Sequence, residues 1–209
     1  MNVFILSTGR CGSMALARAC DHITNFTSGH ETRRELVGPA RLDYPDQHIE
    51  SDNRLAWYAG RMEEKFGDDA FYLHLKRDRQ RVVESYARRD ERGLMLAFRE
   101  LLMQEHTEPV AALDLSREAC ETVDTNIEFY LRDKSKVMTA DIADGAVWFP
   151  EFWERIGAEG DLEAALREFE VRHNASPDLD ARQRLPFFVR LFRKGKRVVA
   201  KAPQFILEA

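Results

Sequence analysis

The chain has few cysteines and no long hydrophobic run, and both absences limit what it can be. Its three cysteines, Cys11, Cys20 and Cys120, are an odd number without close spacing, which predicts neither a disulfide framework nor a metal site. No apolar run approaches the length that crosses a bilayer, and the N-terminus lacks the long apolar centre of a signal peptide. We therefore expect a cytoplasmic protein without stable membrane insertion.

An excess of positive charge is also absent. The 36 acidic residues outnumber the 31 Lys and Arg residues, and the formal net charge is −5. A protein that binds nucleic acids without sequence preference usually has a positive net charge, so we expect no nucleic-acid partner. Basic residues nevertheless cluster in segments 76–81 and 190–197. Local basic clusters on an acidic protein suit a small anionic ligand.

The sequence shows no internal repeat, low-complexity linker or shift in composition that would mark a second domain. We therefore predict one domain over 1–209, which is long enough to bury a substantial core. Short apolar runs alternate with helical patterns, which predicts an α/β fold of three layers, with a mainly parallel sheet covered by helices on both faces. The predicted strands are about 2–7, 23–27, 70–75 and 136–140.

The pattern also predicts several helices and one long loop. Residues 38–54 are rich in Pro and Asp and are predicted to form a loop. Ser116 is the expected N-cap of a helix that runs to about Arg132. The other predicted helices are 12–21, 55–66, 79–91, 94–104, 150–156, 162–172 and 185–192.

The first predicted strand runs into a short glycine-rich loop and then a helix. The residues from strand to helix are Ser7, Thr8, Gly9, Arg10, Cys11, Gly12, Ser13 and Met14. Loop N–H groups and a helix N-terminus that point at one place form an anion site, to which Arg10 adds a full positive charge. The loop lacks the Lys that a Walker A motif places before its Ser or Thr. It therefore suits a 5′-phosphate group better than a triphosphate with its metal ion.

A second candidate anion site follows the strand that ends at Leu75. Arg77 lies at the strand end and Ser85 stands eight residues later. If a helix begins near Asp78, its first turns bring the Ser85 hydroxyl close to the Arg77 guanidinium, and the two can share one phosphate. The alternative is a solvated basic helix start with Ser85 facing water. Because ligands of parallel sheets bind at the carboxyl ends of strands, both sites are expected at the same edge.

These two motifs, in this order and each after a strand, resemble those of the sulfotransferases that use 3′-phosphoadenosine 5′-phosphosulfate (PAPS). The family carries a loop often written S-x-R-[SC]-G-[ST] in bacterial members, and later an Arg followed eight residues on by a Ser. The resemblance covers roughly residues 1–90 and extends weakly through 137–142. It implies a P-loop-like sulfotransferase fold and transfer of a sulfuryl group to an acceptor hydroxyl or amine. PAPS is then the donor and 3′,5′-adenosine bisphosphate (PAP) the product, with no metal.

The resemblance also assigns roles to residues. Arg10 would stabilise the charge on the leaving phosphate, and Arg77 and Ser85 would hold the 3′-phosphate. The implied donor-binding residues of the loop are Thr8, Gly9, Arg10, Cys11, Gly12, Ser13 and Met14. Three features depart from the family: many members have Lys in place of Arg10, Pro is usual where Arg79 stands, and the residues that normally follow an Arg-Lys-Gly motif do not follow Arg193-Lys194-Gly195. That motif is either a further 3′-phosphate contact or a basic helix end closed by glycine.

An acceptor hydroxyl needs a general base, and the sequence offers two adjacent candidates. We expect Glu31 first and His30 second, because the segment that they end should lie beside the first loop. Glu31 could instead begin a helix and interact only with its dipole. His48 is a further candidate, although its polar segment 48–54 is expected to shape the acceptor pocket. Cys11 could have a lowered pKa beside Arg10, but anion binding is the more obvious task of its loop.

Two other functions remain open at this stage. A P-loop kinase or nucleoside phosphotransferase would need a loop Lys and an acidic metal ligand at a strand end. A nucleotide-binding module that has lost catalysis would keep both anion sites without the base. The acceptor could be a small molecule, a carbohydrate, a lipid headgroup, a phenol or a peptide tyrosine.

Overall fold

The computed structural model describes residues 1–89, 93–103 and 110–170. All of them belong to one compact unit, Met1–Asn174. The predicted helix at 185–192 and the Arg193-Lys194-Gly195 motif lie outside the described residues, as does the last part of the predicted 1–209 domain. That domain assignment therefore stays a prediction.

In the described ranges, five parallel strands form the sheet, in the order β2-β3-β1-β4-β5. The strands are β1 (Val3–Leu6), β2 (Thr27–His30), β3 (His48–Ser51), β4 (Phe71–Lys76) and β5 (Val137–Asp141). This order puts β1 at the centre, with β4 on one side and β3 on the other. The loops that follow β1, β3 and β4 therefore meet at one edge of the sheet, where the two predicted anion sites lie.

Seven helices surround this sheet within the described part of the chain. They are α1 (Ser13–Cys20), α2 (Ala59–Lys65), α3 (Arg79–Ala87), α4 (Gly93–Ala97), α5 (Ala112–Leu131), α6 (Gly145–Ile156) and α7 (Leu162–Arg167). A 3₁₀ turn, Asn53–Tyr58, links β3 to α2. None of the described helices is both long and apolar enough to cross a membrane.

The core has two parts because alternate residues of each strand point to opposite faces of the sheet. Val3 and Ile5 of β1 face one cluster, which is covered by helices that include α1, α3 and α6. Phe4 and Leu6 face the other cluster, which is covered by α2 and the second half of α5. The predicted three-layer α/β fold is confirmed.

Three local predictions differ from the structure. The second strand begins at Thr27 and not at Ile23, and the predicted loop 38–54 contains the whole of β3. The sequence His-Ile-Glu-Ser looks like a loop because three of its four residues are polar, but His48 and Glu50 bond to β2 and to the turn after it. Ser116 does not cap α5, which begins at Ala112; its hydroxyl donates instead to the Ala112 carbonyl, one turn back.

Candidate active site

The loop between β1 and α1 holds its backbone in the conformation that anion-binding loops require. Gly9, Arg10 and Gly12 all have positive φ angles, of 84°, 61° and 81°. Left-handed residues within a tight loop turn successive N–H groups toward one side, and α1 begins directly after Gly12. Arg10 is unusual in this region for a residue with a Cβ, so the surrounding contacts must hold it there.

Three contacts fix this loop, two from α3 and the end of β4 and one from Ser7 within the loop itself. The Tyr86 hydroxyl of α3 donates to the Thr8 carbonyl at 2.6 Å. The Ser7 hydroxyl accepts from the Gly9 N–H at 3.1 Å. Arg77 donates from Nη1 to the Arg10 carbonyl at 3.0 Å. The loop is therefore held by β4 and α3, the elements of the second motif.

The two motifs also meet through side chains. Arg10 donates from Nε to the Ser85 hydroxyl at 3.0 Å, and this hydroxyl lies in the buried part of α3. Asp78 caps α3 by accepting from the Arg81 N–H, which sets the start of the helix where the sequence predicted it. Arg77 and Ser85 thus both contact Arg10. The alternative in which Ser85 faces water does not hold.

The remaining residues of the first motif lie in the loop beside Arg10 and in the first turn of α1. Ser13 and Met14 form the first turn of α1, both half-buried. Cys11 is 2% exposed, and its thiol donates to the Gly9 carbonyl at 3.3 Å. Burial raises the pKa of Cys11 to about 11, although its bond to Thr8 acts in the opposite direction. The lowered pKa that we considered for Cys11 is therefore wrong, and its thiol stays protonated at neutral pH.

A cavity of about 280 Å³ opens beside the loop. Residues of both motifs line it, together with residues of α3 and α5. The lining includes Thr8, Cys11, Arg77, Arg79, Cys120 and Asp124. Within that lining, Arg79 pairs with Glu121 and Asp124 of α5.

His30 lies at the end of β2 and reaches the first loop. Its Nε2 is 2.9 Å from the Ser13 hydroxyl, in the first turn of α1. Neighbouring His30, Glu31 does not begin a helix: it has a φ of 55° and opens a turn. Its carboxylate pairs with Arg54 at 2.8 Å and with Arg34 at 3.5 Å. The two base candidates therefore stand in different surroundings, His30 against the anion loop and Glu31 against arginines.

A buried polar chain supports the turn that carries these two residues. His48 lies between the Thr27 hydroxyl at 2.8 Å and the Glu50 carboxylate at 2.9 Å. Glu50 is fully buried and accepts from both the N–H and the hydroxyl of Thr32. Burial alone would raise the pKa of Glu50, but the hydrogen bonds from His48 and Thr32 outweigh it and the pKa is lowered. Both ring nitrogens of His48 are thus engaged by Thr27 and Glu50, beneath the turn.

Sequence reasoning missed three residues that shape this site. The Tyr86 hydroxyl bonds to a loop residue 78 positions earlier in the chain. Asn53 lies close to Gly9, and Arg54 pairs with the first base candidate. Only the polar character of segment 48–54 hinted at the last two.

Replacing Gly9 by alanine is expected to destabilise the protein more than the same change at Gly157. Both glycines have positive φ, which costs alanine about 1 to 2 kcal/mol. A Cβ at Gly9 would also stand 2.2 Å from the Tyr86 hydroxyl oxygen, whereas at Gly157 it would meet nothing within 4 Å. Displacing Tyr86 breaks its bond to Thr8, at a further cost of about 1 kcal/mol.

Urea unfolding of the two variants measures this difference. We expect Gly157→Ala to lose only the backbone penalty and Gly9→Ala to lose about 2 to 3 kcal/mol of unfolding free energy. Equal losses for the two variants would mean that Tyr86 does not hold the loop.

The fold is that of an α/β protein with a glycine-rich loop at the carboxyl edge of a parallel sheet, and two solved structures are similar to it. A sulfotransferase domain from the curacin biosynthetic pathway is similar to this chain with a TM-score of 0.57 and 13% identity, over 85% of this chain and 80% of that one. Mouse sulfotransferase SULT7A1, solved with PAP, is similar with a TM-score of 0.54 and 12% identity, over 84% and 68%.

These similarities show that the chain has the sulfotransferase fold, as the two motifs predicted. No profile of a known protein family matches the sequence, and no curated protein matches it either. At 12% to 13% sequence identity, the two similarities show the fold alone. The roles of individual residues rest on the geometry of this chain.

Proposed function

We propose that this protein is a sulfotransferase that moves a sulfuryl group from PAPS to an acceptor hydroxyl or amine. One observation carries the proposal: Arg77 and Ser85 both contact Arg10, at 3.0 Å each, beside a loop with three left-handed residues. Two anion-binding groups next to one another suit a nucleotide with phosphates on both its 5′ and 3′ positions. The sulfotransferase fold, and the PAP bound to mouse SULT7A1, support the same ligand.

In this proposal the loop and α1 bind the 5′-phosphosulfate, with Arg10 beside the bridging oxygen. The acceptor oxygen forms a bond to sulfur as the bond from sulfur to the 5′-phosphate oxygen breaks, and PAP leaves with the electron pair of that bond. Arg10 and the loop N–H groups stabilise the charge that develops on the leaving phosphate. Arg77 and Ser85 hold the 3′-phosphate and so orient the donor.

The acceptor proton goes to His30 or Glu31. The contact between His30 and Ser13 favours His30, because a base must be within hydrogen-bond reach of the group that attacks at the donor loop. Glu31 is engaged by Arg54 and Arg34, and would accept the proton only after exchanging one of these partners. Both therefore enter the test as single variants.

Calorimetric binding of PAP and of ATP, each with and without Mg²⁺, tests the donor site directly. We expect PAP to bind tightly whether or not Mg²⁺ is present, and ATP to bind weakly. Within the described residues no group of three or more His, Cys, Asp or Glu side chains is placed to hold a metal ion, so the Mg²⁺ arm is the measurement that decides metal use.

Preference for ATP with Mg²⁺ would overturn the proposal in favour of a phosphotransferase. Tight PAP binding followed by no transfer from PAPS, across a screen of hydroxyl and amine acceptors, would point to a nucleotide-binding module. PAP binding with transfer to one class of acceptor establishes the activity.

A further inference from the structure

Four arginines lie on the segments that follow β2 and β3, three before α2 and one within it, and two of them contact Glu31. We call them the arginine surface: Arg33, Arg34, Arg54 and Arg61. Contacts connect the loops that carry them, since Arg54 pairs with Glu31, and Arg61 and Arg33 donate to the carbonyls of Gly38 and Ala40. The arginine surface is therefore one region of the molecule.

This region carries more positive than negative charge. The acidic side chains that pair with its arginines at the surface are Glu31 and Glu35. Asp52 also contacts Arg54, but it is fully buried and its charge is matched by buried Arg41. The region thus holds four arginines and two paired carboxylates, Glu35 at 83% exposed and Glu31 at 19% exposed, on a chain whose net charge is −5.

The donor does not account for this charge. In the proposed function its phosphates are held by Arg10, Arg77 and Ser85, which follow or flank β1 and β4. His30 stands between that site and the arginine surface, since it contacts Ser13 on one side and precedes Glu31 on the other. An acceptor whose hydroxyl lies at His30 would extend over Glu31 toward Arg54.

Arg54 and Arg34 have the geometry to bind an anion there. Their side chains are 42% and 53% exposed, and both reach the same oxygen of Glu31. Arg54 contacts both of its carboxylate partners through Nη1, and a guanidinium carries further N–H donors on Nη2 and Nε. A carboxylate, phosphate or sulfate matches that planar fork and can take the place of Glu31.

We propose that the acceptor is a hydroxyl compound that carries its own anionic group, and that Arg54 and Arg34 bind this group. The proposal rests on the proposed function and names the substrate class of the same site. It makes Glu31 a competitor for Arg54. Removing the charge of Glu31 should therefore strengthen anion binding, and removing the charge of Arg54 should weaken it.

The experiment titrates the full chain, loaded with PAP, with D-glucose, D-glucuronate and D-glucose 6-phosphate. The two anions share the ring hydroxyls of the neutral sugar and differ from it at C6, where one carries a carboxylate and the other a phosphate in place of the free primary hydroxyl. We expect both to bind at least about tenfold tighter than glucose, with a preference that falls as salt is added. Arg54→Gln should abolish the preference, and Glu31→Gln should increase it several-fold.

Arg18→Gln is the matched control. Arg18 is 59% exposed, pairs with Asp21 and lies in the last turn of α1, away from the loop. The Arg18→Gln variant loses the same charge as Arg54→Gln and should keep the preference for the anionic sugars. Circular dichroism and PAP affinity, measured on every variant, show that the fold and the donor site are intact.

Equal binding of the three sugars would overturn the proposal, and so would an anion preference that survives Arg54→Gln. Failure of PAP to bind is a separate result, which contradicts the donor site. The same titration on the protein without nucleotide then tests the arginine surface alone, with the same expected and contradicting outcomes.

Discussion

Replacing Arg77 by alanine is expected to weaken PAP binding about 100-fold while AMP binding falls much less. A phosphate that loses a charged hydrogen-bond donor costs about 3 kcal/mol of binding free energy, which is roughly two powers of ten in affinity. AMP lacks the 3′-phosphate, so its affinity falls only through the loop. Arg77 also donates to the Arg10 carbonyl and so holds the loop in place. Calorimetry with both nucleotides measures the difference.

Arg79→Ala is the control for this measurement. Arg79 is two residues away and equally charged, but its guanidinium pairs with Glu121 and Asp124 of α5. We expect it to change PAP and AMP binding little and to a similar extent. Equal losses for PAP and AMP in Arg77→Ala would contradict the 3′-phosphate role and leave Arg77 as a support of the loop.

Removing the general base is expected to slow sulfuryl transfer by about 10² to 10⁴-fold while PAP affinity stays unchanged. The measurement is the single-turnover rate with PAPS and an acceptor that the wild-type protein sulfates. Because His30 contacts Ser13 at the anion loop, we expect His30→Ala to show this loss in full. Glu31→Ala should show a smaller loss, since Glu31 is paired with Arg54.

The double variant decides whether either residue is the base. If the protein without both His30 and Glu31 binds PAP and transfers sulfate at the wild-type rate, the base assignment fails and the fold and donor site stand. A full loss in Glu31→Ala with His30→Ala unaffected would return the assignment to Glu31, which the sequence alone placed first. His22→Ala controls for loss of an imidazole, because His22 pairs with Glu168 near α7.

The two motifs could be predicted because each depends on residues close together in the chain. An apolar strand, two glycines at positive φ and a helix start are encoded within residues 3–20. The second motif likewise needs only a strand, the Asp78 cap and the helical spacing from Arg77 to Ser85. That both sites lie at one edge of the sheet follows from parallel strand order, which alternating strands and helices indicate.

The pairing of β3 was beyond sequence reasoning because its order comes from residues distant in the chain. Strand β3 has a polar sequence and was predicted as loop; it is a strand because His48 and Glu50 find partners on Thr27 and Thr32. Those hydrogen bonds repay the cost of burying a carboxylate. No local sequence pattern predicts these hydrogen bonds.

The sequence by itself determined the class of fold, the glycine-rich loop after β1 and the helix start after Arg77, since short-range backbone preferences and strand order produce them. Only the tertiary structure decided how these parts touch: that Tyr86 holds the loop, that His30 reaches Ser13, and that Glu31 is bound by Arg54. Each of these contacts joins residues 17 or more positions apart in the chain. Packing of the whole sheet sets such distances, and local propensity carries no information about them.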